Sequence, residues 1–467
     1  MTLVAGVDSS TQSTKVELRD LDGGEVVASA SAPHPATSPP RSEHDPAAWW
    51  AAFEAAWAAV GSPSVAAIAV GGQQHGMVAL DADLQVIRPA KLWNDTESAP
   101  DAVWLRDQLE GGAKAWAAAV GSVPVASFTI TKLSWLHRSE PEAWSRLAHV
   151  LLPHDWLTAQ LTGRLVTDRG DASGTGYWSP AEGDYRWDLL SFVDAERDWT
   201  GVVPRVLGPT EPAGRWGDVV VGPGTGDNMA SALGLALQPG DAAMSIGTSG
   251  TVAAVSDQPT ADATGAVAGF ADATGRYLPL VCTLNAARVL DTVAGWIGVD
   301  HAELDRLALS TDSGGVTLLP YFDGERTPDL PDATGWITGV RTGTTRAQLA
   351  RAAVEAVTCG MLDALDALAE HAVVDGRIVL TGGGARSRSL QAVLAALCER
   401  PIGVSTAADS VATGACVQAA AVLGERPPLD VAAAWGLGEL AACEPAVRLD
   451  RDEVRGRYAA LRTQAYG

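Results

Sequence analysis

Two stretches of this chain, about half its length apart, share one design. Residues 3–18 read LVAGVDSSTQSTKVEL and residues 242–255 read AAMSIGTSGTVAAV. In each, an apolar run enters a turn of Gly, Ser and Thr, and a second β-branched run leaves it. This is the pattern of strand, tight turn and returning strand. Small residues let backbone N–H groups approach an anion closely, and hydroxyls add donors. The duplication points to two similar domains that grip one phosphorylated ligand.

The 467 residues exceed what one core usually organises, so two domains are expected, 1–241 and 242–467. A hydrophobic content of 47% with 19% charged residues is globular material. The net charge of −23 excludes a general nucleic-acid binder, which needs a basic footprint. The five cysteines form no Cys-x-x-Cys pair and are odd in number, so reduced thiols are expected rather than a disulfide framework or a zinc site. The N-terminus has no basic region before its apolar residues, and no apolar run approaches the ~20 residues of a membrane span. A cytoplasmic protein without a membrane partner is the expectation.

The first residues read as a three-strand meander: Thr2–Asp8, Ser13–Asp20 and, after the hairpin signal Asp22-Gly23-Gly24, Glu25–Ser31. Asp45-Pro46 supplies an N-cap and a first helical residue, and Trp49, Trp50, Phe53, Trp57 and Val60 form a helical stripe. Val65–Gly71 reads as a buried strand. Three strands, a helix and another strand begin a ribonuclease H-like α/β unit. Helices are expected at about 98–110, 131–138, 153–162 and 228–237, and 163–200 reads as an irregular, Asp- and Trp-rich insertion. The strand pattern restarts at 241–247, 250–256 and 276–283. A long helix follows at 346–371, then a strand at Arg377–Thr381 and helices at 387–399 and 410–424.

No P-loop, dinucleotide fingerprint, protein-kinase signature, G-x-S-x-G or H-E-x-x-H is present. Four segments remain. Asp8 sits at a strand end before Ser9, Ser10 and Thr11, where a carboxylate can hold a hydrated Mg²⁺ beside phosphate oxygens; the alternative is a turn using its hydroxyls locally. Its counterpart is Gly247-Thr248-Ser249. Asp227 follows the glycine-rich Gly222–Gly226 and either accepts a proton from a substrate hydroxyl or simply caps a helix. Gly382, Gly383, Gly384 and Ala385 join a strand to a helix, and the helix N-terminus attracts phosphate or adenosine unless the turn is only a connection. Gln74, His75 and Gly76 follow a strand, with Trp93-Asn94-Asp95 downstream, and offer donors for sugar hydroxyls; a structural histidine is the alternative.

Taken in order, these segments resemble the FGGY family of carbohydrate kinases, of the actin, hexokinase and chaperone ATPase superfamily. Ser127–Trp135 and Gly335–Val340, with Gln348-Leu349 and Ala352–Glu355, look like that family's signatures. The resemblance implies two ribonuclease H-like domains with a cleft between them, the first mainly for sugar and the second mainly for ATP. It implies ATP-dependent phosphorylation of the terminal hydroxyl of a pentulose, D-xylulose in the first instance. Other sugars of the family, such as ribulose or gluconate, and a filament-type ATPase are the alternatives. It further implies Asp227 as catalytic base and Asp8 as the second catalytic carboxylate and the Mg²⁺ ligand. Gln74, His75, Gly76, Trp93, Asp227 and Asn228 would bind the sugar, and Ser10, Thr11, Gly247, Thr248, Ser249, Gly383, Gly384 and Ala385 would bind ATP. A homodimer is allowed for. Ketose-phosphorylating members often carry Met-His-Gly where this chain has Gln74-His75-Gly76.

Overall fold

The computed structural model describes residues 1–407 and 409–467. The elements used below are, in chain order, β1 (Leu3–Ser9), β2 (Ser13–Asp20), β3 (Val26–Pro33), α1 (Pro46–Ala59), β4 (Ala67–Gly72), β5 (Gly214–Trp216), β6 (Val219–Val221), α2 (Asp227–Gly234), β7 (Ala242–Ile246), β8 (Gly250–Ala254), β9 (Tyr277–Thr283), α3 (Arg346–Ala369), β10 (Ile378–Thr381), β11 (Ile402–Ser405), α4 (Ser410–Gly424) and β12 (Leu440–Ala442).

The chain divides into two compact units. One comprises Met1–Leu237, Asp257–Leu278 and Ala407–Gly438; the other comprises Gln238–Ser256, Pro279–Thr406 and Glu439–Gly467. These compact units are discontinuous in the chain, unlike the sequential stretches 1–241 and 242–467. Two later segments return to the first unit, and the reason is steric. Helix α4 lies on β1 and α2 so closely that a Cβ at Gly6 would collide with the Ala412 carbonyl, one at Gly234 with the Ser410 carbonyl and one at Gly414 with the Ala230 carbonyl. Glycine is the residue that permits such backbone contact.

The sheet of the first unit has the order β5-β6-β4-β1-β2-β3, with β1 antiparallel to β2 and parallel to β4. Its core joins Val7, Val16, Ile68 and Val70 from the strands to Trp49 and Phe53 of α1 and Leu157 of the helix Pro153–Thr162. Asp45 caps α1 by accepting a hydrogen bond from the Ala47 N–H, as its sequence pattern requires. The sheet of the second unit repeats the arrangement: β7 is antiparallel to β8 and parallel to β10, β8 pairs with β9, and β10 continues to β11 and β12. The long helix α3 starts at a capping box of Thr345 and Gln348 and buries Val354, Val357, Met361, Leu365 and Leu368.

Other expectations need adjustment. The supposedly irregular 163–200 contains the strand Val166–Asp168 and the helices Arg169–Ala172 and Trp187–Val193. Helices Gly112–Val120, Ala287–Ile297, His301–Ser310 and Arg451–Tyr466 also lie outside the expected set. The signal in Ala287–Ile297 was legible, since its buried Val289, Leu290, Val293, Ala294 and Ile297 recur at helical spacing. Gly414→Ala is expected to cost about 3 kcal/mol, because the neighbouring backbone cannot yield. An earlier urea transition than in Gly343→Ala, where an added Cβ meets nothing, checks this.

Candidate active site

Strand register brings two carboxylates of the first unit to one edge. Asp8 is paired with Gly71 of β4, and Gly71 is paired on its other side with Thr225. Thr225-Gly226 thus lies beside the end of β4, and Asp227 opens α2 immediately after it. The glycines at this edge are needed for packing: a Cβ at Gly226 would stand 2.6 Å from Cγ of Gln74.

Asp8 has a buried Oδ1 with no hydrogen-bond partner. Burial pushes its carboxyl well above the usual range, and Asp409 and Asp227 add to the rise while Lys15 opposes it. Lys15, opposite Asp8 across β1 and β2, pairs with Asp409 at 3.0 Å. Asp409 also caps α4 by accepting from the Ala412 N–H at 3.0 Å. Asp227 has its carboxyl raised to about 6 by burial, against the opposing effect of the Asn228 N–H, which donates to its Oδ1 at 2.8 Å.

The amide of Asn228 is fully directed. Its Nδ2 donates to Oδ1 of Asp227 at 3.0 Å and to Oε1 of Gln74 at 2.7 Å. The Gln74 Nε2 is therefore turned away from Asn228, and it is buried without a partner. His75 holds a left-handed backbone with φ of 65°. Its Nδ1–H donates to the Gly174 carbonyl at 2.7 Å, and its ring packs against Phe128 and Phe270. Gly76 packs on Pro153, where a Cβ would come within 2.7 Å of Cγ. Trp93 is exposed, and its indole N–H donates to the Thr11 hydroxyl at 2.9 Å.

The hydroxyls of the first turn are partly occupied. Thr11 donates to Oε1 of Gln73 at 3.4 Å, and Ser10 donates to the Ser13 carbonyl at 3.2 Å, the local use that turn residues often serve. In the second unit the turn Gly247–Ser249 and the glycine run 382–384 come together at the end of β7. A Cβ at Gly384 would meet Cγ2 of Ile246 at 2.5 Å, Gly382 has φ of 82° against the Ile246 carbonyl, and Gly383 has open space. Thr248 and Ser249 are exposed, and Ala385 is buried with its carbonyl bonded to Gln391. The helix N-terminus beyond this run departs from the expected anion site. Asp305 fills it, accepting from the N–H groups of Arg388 and Ser389 at 3.1 and 3.3 Å and from the Ser387 hydroxyl at 2.6 Å.

A cluster of Glu43, Asp95 and Glu97 has the acidic composition of a metal centre. It encloses the ammonium of Lys91 instead, with Nζ at 3.1, 3.0 and 2.6 Å from the three carboxylates and 3.8 Å above the Trp135 ring. Sequence reasoning assigned no role to His154, Asp168 or Asp171, which form a buried ionic cluster beside the candidate site. The only local signals were the His154-Asp155 dipeptide and the Asp-rich composition of 163–200.

Models of the N-terminal and C-terminal domains of the FGGY family of carbohydrate kinases match residues 3–234 and 242–423. The chain belongs to this family. Among curated FGGY relatives it is similar to a xylulose kinase of Streptomyces rubiginosus, 46% identical over 97% of this chain and 94% of the relative. It is also similar to one of Escherichia coli, 34% identical over 86% of each chain. The crystal structure of xylulose kinase from Bifidobacterium adolescentis superposes with a TM-score of 0.88 at 40% identity, over 99% of both chains. The two-domain α/β fold of FGGY sugar kinases is thus established, as is membership in a family of sugar-phosphorylating enzymes. Lys91→Met is expected to destabilise the FGGY N-terminal domain by about 3–5 kcal/mol, because three carboxylates lose their buried counter-ion. Thermal denaturation with and without added divalent cation checks this, and no recovery with the cation is expected.

Proposed function

We propose that this chain transfers the γ-phosphoryl group of ATP to the terminal hydroxyl of D-xylulose, giving D-xylulose 5-phosphate and ADP, with Asp227 as general base. The observation that carries this reading is the pairing of Asp227, raised to about 6, with two sealed polar atoms that lack protein partners, Oδ1 of Asp8 and Nε2 of Gln74. Buried polar groups are ordinarily satisfied, so these atoms fit a polar ligand. The names and high identity of the relatives favour xylulose as that ligand.

In this reading Gln74, His75, Asn228 and Trp93 orient the sugar, and Gly76 shapes their turn. Asp227 accepts the hydroxyl proton as the oxygen bonds to phosphorus, and the bridging P–O bond breaks with its electron pair leaving on ADP. A carboxyl near 6 is ionised at neutral pH and basic enough to take the proton. Asp8 fits a Mg²⁺ ligand, since its orphaned Oδ1 has the hard oxygen chemistry that the ion prefers. The ion, when bound, would neutralise phosphate charge. Among the described residues Asp8 belongs to no group of three ligating side chains, so phosphate oxygens and water would complete the coordination. Gly247, Thr248, Ser249, Gly383 and Gly384, with Ala385 as buried support, are assigned to ATP together with Ser10 and Thr11. Among the described residues none of the five cysteines forms a disulfide, which suits action in the cytoplasm.

Asp227→Ala and Asp227→Asn are each expected to lower kcat by roughly 10²–10⁴-fold with little change in xylulose affinity; turnover near wild type would overturn the base assignment. Because a base must be deprotonated, kcat/KM should fall as pH drops through about 6, and a profile flat to pH 5 would contradict it. In a coupled ADP-release assay, D-xylulose should exceed D-ribulose, L-ribulose, gluconate, xylitol and glycerol in kcat/KM by at least about tenfold, the discrimination that one unmatched buried polar contact supplies. Comparable values would broaden the substrate class.

A further inference from the structure

The segment Asp168–Gly174 touches both turns of the candidate site. At one end Asp168 accepts from the Thr225 hydroxyl at 2.7 Å, two residues before Asp227. At the other end the Gly174 carbonyl accepts from Nδ1–H of His75 at 2.7 Å. Between them Asp171 pairs with Nδ1 of His154 at 2.7 Å. On its other side the ring faces Asp155, with Nε2 3.1 Å from Oδ1, and Asp168 lies at 3.9 Å. The hydrogen bond is made at Nδ1 alone, and the surrounding acids push the titration of the ring up to about 9 against the opposing effect of burial.

His154 also lies between two glycines, with its Cβ and backbone against Gly72 and its ring against Gly224. A Cβ at Gly72, at the end of β4, would stand 2.9 Å from Cβ of His154. One at Gly224, in the turn that leads to Asp227, would stand 2.5 Å from its Cδ2. The Gly224 carbonyl is further held by Nε2 of Gln418 at 3.0 Å. His154, Asp155 and Asp171 are fully enclosed, so none of these groups reaches a ligand directly.

We infer that His154 is a positioning residue: it clamps the turn carrying Gln74 and His75 to the turn carrying Asp227, through Gly72, Gly224 and the Asp168–Gly174 segment. The role of these turns in sugar phosphorylation rests on the function proposed above; the clamp itself rests on packing and ionic contacts. Two backbone turns that approach this closely are kept in register by His154 between them, its Cβ against one and its ring against the other. Loss of its charge frees Asp171, and with it both ends of the segment.

The test uses His154→Gln and Asp171→Asn in the full chain. D-xylulose affinity is measured by calorimetry without ATP, ATP affinity is measured separately, and kcat is measured at saturating substrates. His154→Gln is expected to weaken xylulose binding at least about fivefold and to lower kcat at least about tenfold, the scale of a sub-ångström misplacement, with ATP affinity within about twofold of wild type. Asp171→Asn, which keeps the ring and its packing, should show the same pattern at smaller amplitude and decides the matter if His154→Gln fails to fold. A lowered melting temperature with xylulose affinity and kcat both within about twofold of wild type in Asp171→Asn would overturn the inference. Asp227→Asn separates the two readings, because unchanged turnover there sinks the base assignment while the sugar-affinity comparison still decides on the clamp.

Discussion

The parallel pairing of β4 with β1 on one side and with Thr225-Gly226 on the other is the constraint on which the candidate site depends. One ladder places Gly71 between Asp8 and Thr225, and so fixes the lateral position of two carboxylates more than 200 residues apart in the chain. Every later feature of the edge follows from this register. Gly226 must lack a side chain because Gln74 lies against it, and Gln74 is turned by Asn228, which is held by Asp227. A one-residue slip of β4 would reverse its faces and dissolve the arrangement.

Electrostatics at this edge is managed by selective pairing. Asp409 and Asp227 add to the rise that burial imposes on the Asp8 carboxyl, and Lys15, paired with Asp409, opposes it. Elsewhere in the same unit acidic groups gather around a cation, Glu43, Asp95 and Glu97 around Lys91, and Asp155, Asp168 and Asp171 around His154. The ammonium of Lys91 holds its cluster together, whereas Asp8 and Gln74 each keep a buried polar atom without a protein partner.

Much of the fold was legible locally. The meander β1–β3, the cap and stripe of α1 and the long helix α3 all follow from period and capping, which act over a few residues. Asp227 and Gln74 were also visible as residue types in informative positions. The return of α4 to the first unit was not, because its cause is three glycine contacts between segments far apart in sequence. The helix N-terminus after Ala385 read as an anion site, and its occupation by Asp305 depends on a residue about 80 positions upstream.

The sequence by itself determined the secondary elements of both sheets, the duplicated hydroxyl turns, the chemistry available at each turn and membership in the FGGY family. Tertiary structure decided which of those groups are still available. It engaged the hydroxyls of Ser10 and Thr11, buried Asp227 enough to raise its carboxyl to about 6, and enclosed His154 among aspartates. The physical reason is range. Propensity and turn chemistry are set by neighbours in the chain, whereas desolvation and charge pairing are set by neighbours in space, and at this site those come from segments tens to hundreds of residues apart.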